Sequence, residues 1–216
     1  DLGNALTTIE GYAFLDCYAL TSLKMPNTMN YIGEYAFKNC SKLQELIIPQ
    51  NVNYMGFALF ENCKGLKSLT IPFIGDKLDG SGNNHFGFLF GSKLNEFFLK
   101  EEDKYAKNNE FVPQSLEEVK LHGGMNLYNY AFYGCYGIKR IEIGDSFTSI
   151  GENVFENCYL LQFIDLSDCT LLTTIDRFAF KNCYSLQIID LSGCTNLTIS
   201  SENVFSGWYI LQSITL

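Results

Sequence analysis

Ile32-Gly-Glu-Tyr-Ala36-Phe37-Lys-Asn-Cys40-Ser-Lys-Leu43-Gln-Glu-Leu46-Ile-Ile48-Pro49 is the stretch from which the fold can be read. Its hydrophobic period changes part-way along. Ile32, Ala36, Phe37 and Cys40 fall at i, i+4, i+5 and i+8, the spacing of one face of a helical turn. Leu46 and Ile48 then alternate with their neighbours, the spacing of a strand. Pro49 carries no backbone N–H and ends any ladder at that point. The unit is therefore predicted to be a short helical turn, a link and a short strand.

The unit recurs. Phe14, Phe37, Phe60, Phe132, Phe155, Phe180 and Phe205 each precede, by six residues, an apolar residue that opens an L-x-x-L-x-L phrase. Two further phrases, Leu94–Leu99 and Leu116–Leu121, fill the central gap, and Phe88 stands six residues before Leu94. Nine phrases thus open at positions 20, 43, 66, 94, 116, 138, 161, 186 and 211. No single unit can bury its own Phe and Leu; stacking the units buries them in one continuous core.

The motif I-G-x-x-A-F-x-N-C-x-x-L-x-x-L-x-I-P resembles the BspA-like leucine-rich repeat of bacterial and some protist surface proteins. The resemblance extends over nearly the whole chain. It implies an α/β repeat: a right-handed leucine-rich-repeat solenoid with a parallel concave sheet of about nine short strands and short helical turns on the convex side. Residues 1–216 are expected to form a single array, a segment of a longer protein, with irregular insertions at about 73–87 and 100–115. The family likeness also implies an extracellular or cell-surface setting.

Composition narrows the function. The net charge of −9, from 15 basic and 24 acidic residues, disfavours nucleic acid or an anionic membrane surface as a partner, because both attract clustered Lys and Arg. No apolar run approaches the roughly 18 residues that cross a bilayer, so no membrane insertion is expected of this segment.

Eight cysteines are present. Six of them, Cys17, Cys40, Cys63, Cys135, Cys158 and Cys183, form one column three residues after a Phe, and Cys169 and Cys194 form a second. Columns in adjacent coils stack at about 4.8 Å, whereas a disulfide draws its Cβ atoms to about 3.8 Å and turns them together. Buried free thiols are the expectation. No C-x-x-C motif occurs, and with His85 and His122 the only histidines, neither a zinc site nor any cofactor is expected. Asp79-Gly-Ser-Gly-Asn-Asn84 lacks the Lys and the offsets of a phosphate-binding loop and reads as an inserted loop.

What remains is the concave face. Alternate positions of the phrases point outward from the sheet, and Glu118 with Arg140 and Lys120 with Glu142 are expected cross-strand pairs. Toward the C-terminus the face should carry Phe163 beside Ile188 and Asp165 beside Asp190. Ile47 and Phe98 add apolar residues elsewhere on it. Stacked apolar groups in water cost about 25 cal/mol per Å², and like charges opposite one another destabilise a sheet. These residues, with Glu142, are the candidate contact surface for a protein, a glycan or a host-matrix ligand. The alternative is a structural spacer, whose concave face should be uniformly small and polar. Enzyme chemistry would require a convergent polar cluster, and the sequence displays none.

Overall fold

The computed structural model describes residues 2–92, 108–199, 202–207, 210 and 212–215. They form a parallel-strand solenoid of about eight turns. Two-residue strands run along one flank: β1 (Thr8–Ile9), β2 (Tyr31–Ile32), β4 (Tyr54–Met55), β7 (Asn126–Leu127), β9 (Ser149–Ile150) and β11 (Thr174–Ile175). Longer strands build the inner sheet: β3 (Glu45–Ile47), β5 (Ser68–Ile71), β6 (Glu118–Leu121), β8 (Arg140–Ile143), β10 (Phe163–Asp165), β12 (Ile188–Asp190) and β13 (Ser213–Thr215). The inner order is β13-β12-β10-β8-β6-β5-β3, with every pairing parallel. The flank is split into two separate ladders, β1-β2-β4 and β11-β9-β7.

The sheet differs from the expected nine strands in two places. The phrase at Leu20 forms no strand. The phrase Leu94–Leu99 lies outside the described residues, but β5 pairs directly with β6, Leu69 opposite Val119, so nothing is interposed there. From β5 to β6 the inner sheet therefore advances by one coil where two were expected.

The convex side also departs from the sequence reading: it is built of turns rather than helical ones. Tyr35 and Asn39 have φ values of 57° and 64°, and left-handed residues at every fourth position break an α-helix. The backbone N–H groups divide their bonds accordingly. Lys38 and Cys40 donate within the turn to the carbonyls of Tyr35 and Phe37, both at 3.1 Å. Tyr35, Phe37 and Asn39 donate to the next coil, at Phe57, Leu59 and Glu61. Convex and concave sides are both cross-coil ladders. Helix is confined to a 3-10 turn at Phe86–Phe90 and a single α-turn at Asn108–Phe111 among the described residues.

The Phe column forms the spine of the core. Ring centroids follow one another from Phe14 to Phe37 (5.2 Å), Phe37 to Phe60 (5.9 Å), Phe132 to Phe155 (5.5 Å) and Phe155 to Phe180 (5.1 Å). Between these two runs Phe90 packs with a tilted ring on Phe60, Phe86 likewise on Phe132, and Phe86 on Phe90, so the spine is continuous. Phe88, expected in this column, packs instead against Phe57 and His85. The 3-10 turn brings Phe86 and Phe90, two residues to either side, into the column in its place. His85 is fully buried with Nε2 3.0 Å from the Ser92 carbonyl, and burial pushes its pKa down to about 4, leaving it neutral.

All eight cysteines are free thiols. Each thiol of Cys40, Cys63, Cys158 and Cys183 donates to the carbonyl of the Phe in the preceding coil, at 3.1–3.2 Å. Cys169 and Cys194 bond likewise to Ile143 and Leu166. Burial pushes the Cys63 and Cys158 thiols up to about 12 from the ordinary 9.0. The unfolded chain therefore loses these protons first as pH rises, and stability should decline above about pH 9. Ellman titration of the native protein at pH 8 should find Cys63 and Cys158 unreactive, and denaturation without reductant should release all eight. Fewer than eight thiols after denaturation would contradict this arrangement.

Candidate functional site

The inner sheet presents the outward face described above. Leu46, Leu69, Val119, Ile141, Ile164 and Ile189 point into the core, which turns the alternate residues out. Register places Glu118 opposite Arg140 and Lys120 opposite Glu142, as expected. Lys120 Nζ lies 2.9 Å from Glu142 and 3.7 Å from Glu118. Arg140 reaches both Glu118 (3.6 Å) and Asp165 (3.8 Å). The pairs are partly exposed, so they orient the side chains more than they stabilise the fold.

Phe163 and Ile188 do fall in one column, and Asp165 and Asp190 in the next. The structure accounts for part of this patch without a partner. The Arg140 guanidinium covers the Phe163 ring at 4.2 Å from its centroid, a cation–π contact. Asp165 accepts from the Ser167 N–H and hydroxyl at 3.1 and 2.7 Å, and Asp190 accepts from the Ser192 N–H at 3.0 Å. Each acid caps the turn that ends its strand. Hydrogen bonds from Ser192 hold the Asp190 carboxyl below the usual range. The L-S-x-C phrase of these longer repeats is the visible signal for such caps.

Apolar exposure on the face is concentrated at Ile47 (64%) and Ile188 (38%). A groove of about 750 Å³ runs over Ile47, Thr70, Lys120, Glu142 and Asp168. His122 sits at its wall with Nε2 2.9 Å from the Ile48 carbonyl. Ile47 and Glu142 therefore share one groove, while Phe163, Ile188 and Asp190 lie beyond it on the C-terminal strands. Phe98, the remaining candidate, lies outside the described residues.

The family model for the BspA-type leucine-rich repeat region matches residues 7–128 and 125–216, in six copies. This chain belongs to the BspA-type leucine-rich repeat family. A leucine-rich repeat protein from Bacteroides ovatus of known structure is similar to this chain, 27% identical with a TM-score of 0.58. The alignment covers 99% of this chain and 47% of that one, so the chain spans about half the length of this relative. A leucine-rich cell surface protein of Faecalibacterium prausnitzii (20% identity, TM-score 0.29) aligns over 98% of this chain and 74% of its own. The pneumococcal vaccine antigen PcpA (17%, TM-score 0.42) aligns over 98% and 60%. No curated protein matches the chain.

Features of the BspA-type repeat that the hydrophobic pattern alone does not reveal are its polar and glycine columns. Asn39, Asn62, Asn157 and Asn182 all have φ near +60° and link coil to coil. Asn39 Nδ2 donates to Asp16 (2.7 Å), Asn62 to Asn39 (2.9 Å) and Asn182 to Asn157 (2.9 Å). The sequence signal is the recurring Asn before Cys40, Cys63, Cys158 and Cys183, since Asn tolerates the left-handed region better than most side chains.

Proposed function

We infer that this segment is a non-enzymatic recognition module, displayed on a cell surface or secreted, that binds a protein or glycan partner through its concave sheet in the manner of an adhesin. The observation that carries the reading is the character of that face. A spacer's face would be uniformly small and polar. Here a charged cluster of Glu118, Lys120, Arg140, Glu142 and Asp165 adjoins apolar Ile47 on one side and Phe163 and Ile188 on the other. Solenoids present such extended concave surfaces to partners. A similar protein, that of Faecalibacterium prausnitzii, is a leucine-rich cell surface protein.

The test is a binding screen against immobilised extracellular-matrix proteins and a glycan array. The wild-type chain should bind at least one of these. A Phe163→Ser, Ile188→Ser double variant should weaken that binding roughly tenfold or more, about 1.4 kcal/mol. Leu160→Ser, an exposed change outside the sheet, should leave it unaltered. Binding by neither wild type nor variant, or equal loss in the double variant and in Leu160→Ser, would leave the spacer as the better account.

A further inference from the structure

The flank of the solenoid contains a missing rung. Leu78 follows Leu69 at the same nine-residue distance at which Met55 follows Leu46, so a flanking strand belongs at Leu78. The chain instead reverses direction there. Lys77 pairs antiparallel with Tyr54, Met55 donates to the Asp76 carbonyl at 3.0 Å, and Leu78 donates back to Asn53 at 3.3 Å. The reversal satisfies the edge of β4 and leaves the opposite edge, that of β7, unpaired among the described residues.

What β7 lacks can be read from the other turns. Asn53 and Gly56 donate to the carbonyls of Asn30 and Ile32. Thr148 and Gly151 donate to Met125 and Leu127, and Thr173 and Asp176 to Thr148 and Ile150. In each case two N–H groups three residues apart meet two carbonyls that are two residues apart on an extended chain. The corresponding N–H groups around β7 belong to Met125 and Tyr128. Neither finds an acceptor among the described residues.

An open groove of about 710 Å³ occupies the place of the missing rung, lined by Tyr54, Leu78, Asp79, Gly124, Met125 and Ser146. Its walls expose apolar side chains, Met125 at 64% and Leu78 at 41%. Its floor is bare backbone. A Cβ on Gly123 would stand 2.8 Å from the Pro72 carbonyl oxygen, and Gly124 has a φ of +91° that other residues rarely adopt. Ser146 Oγ is buried at the groove with no hydrogen-bond partner.

We propose that this groove binds an extended peptide segment as an added flanking strand, with its carbonyls on the Met125 and Tyr128 N–H groups and an apolar side chain between Leu78 and Met125. The acceptors required are two carbonyls at i and i+2, which an extended polypeptide supplies along one edge. This site is on the flank and does not depend on the concave-face reading.

The probe is the blocked peptide Ac-Thr-Val-Leu-Val-Thr-NH2, titrated into the ¹⁵N-labelled chain to about 1 mM. The control peptide replaces both valines with α-aminoisobutyrate, which holds the backbone helical and removes the i, i+2 edge. The amide resonances of Met125 and Tyr128 should move with the first peptide and not with the second. Leu78→Asp and Met125→Asp, both at exposed positions, should weaken binding roughly tenfold while preserving the amide spectrum elsewhere. Ile47→Asp on the concave sheet should leave it unchanged. No movement of those two amides, equal movement with both peptides, or equal weakening by Ile47→Asp would each overturn the proposal.

Discussion

Phe155→Ala is expected to lower unfolding free energy by about 3–5 kcal/mol, the combined transfer and cavity loss of a buried Phe. Phe155 is fully buried and stacked on both faces, against Phe132 at 5.5 Å and Phe180 at 5.1 Å. Each coil of a solenoid touches only its neighbours, so the loss falls on the two interfaces that Phe155 bridges. Phe205, half-buried at 6.0 Å from Phe180, should cost clearly less when truncated. Urea denaturation followed by circular dichroism checks both. The Phe155→Ala midpoint should fall well below the wild-type value; a midpoint within error of wild type would show that the Phe column is not the spine. A reduced slope as well as a reduced midpoint would indicate that the array has split into two separately melting blocks at this coil.

Much of this fold can be derived from the hydrophobic pattern, for a physical reason. A core column recurs at a fixed offset because each coil buries the same positions, so Phe37, Leu43, Leu46 and Cys40 announce inside and outside directly. The register of the inner sheet follows from the same columns, and with it the Glu118–Arg140 and Lys120–Glu142 pairs. On the convex side, i, i+4 spacing does not distinguish a helix from successive turns. The difference resides in the left-handed φ of Tyr35 and Asn39, for which Asn39 gives a faint signal and Tyr35 none. The phrase Leu94–Leu99 lies outside the described residues. The pairing of β5 with β6 shows that the turn closes without it. The outward residues of the candidate surface are legible from the alternation within each strand. The caps on Asp165 and Asp190 were less so, because they depend on a serine two residues further along. The flank groove arises where a repeat fails, a condition that pattern matching passes over.

Gly56→Ala is the second large effect, and it arises from backbone approach rather than from packing of side chains. Gly33, Gly56 and Gly151 each follow a flanking strand, and the N–H groups of Gly33, Gly56 and Gly151 donate to the carbonyls of Ile9, Ile32 and Leu127 at 2.8 Å. The coils come so close here that a Cβ on Gly56 would lie 2.2 Å from the Glu34 nitrogen and 2.5 Å from its Cα. Both are backbone atoms with no rotamer to yield, so the two coils must separate and the ladder bond must stretch. The expected cost is roughly 2–4 kcal/mol, at the upper end of overpacking and compounded by the weakened hydrogen bond. Gly137→Ala supplies the control: its Cβ would lie 3.4 Å from the Gln114 oxygen, and its φ is not left-handed. It should change stability by no more than about 0.5 kcal/mol, because nothing has to move. Chemical denaturation of the two variants side by side decides the matter, since each adds one methyl group to a glycine of the same chain. Similar midpoints for both would mean that glycine is kept at position 56 for its flexibility. A large drop confined to Gly56→Ala would place the limit on coil-to-coil spacing.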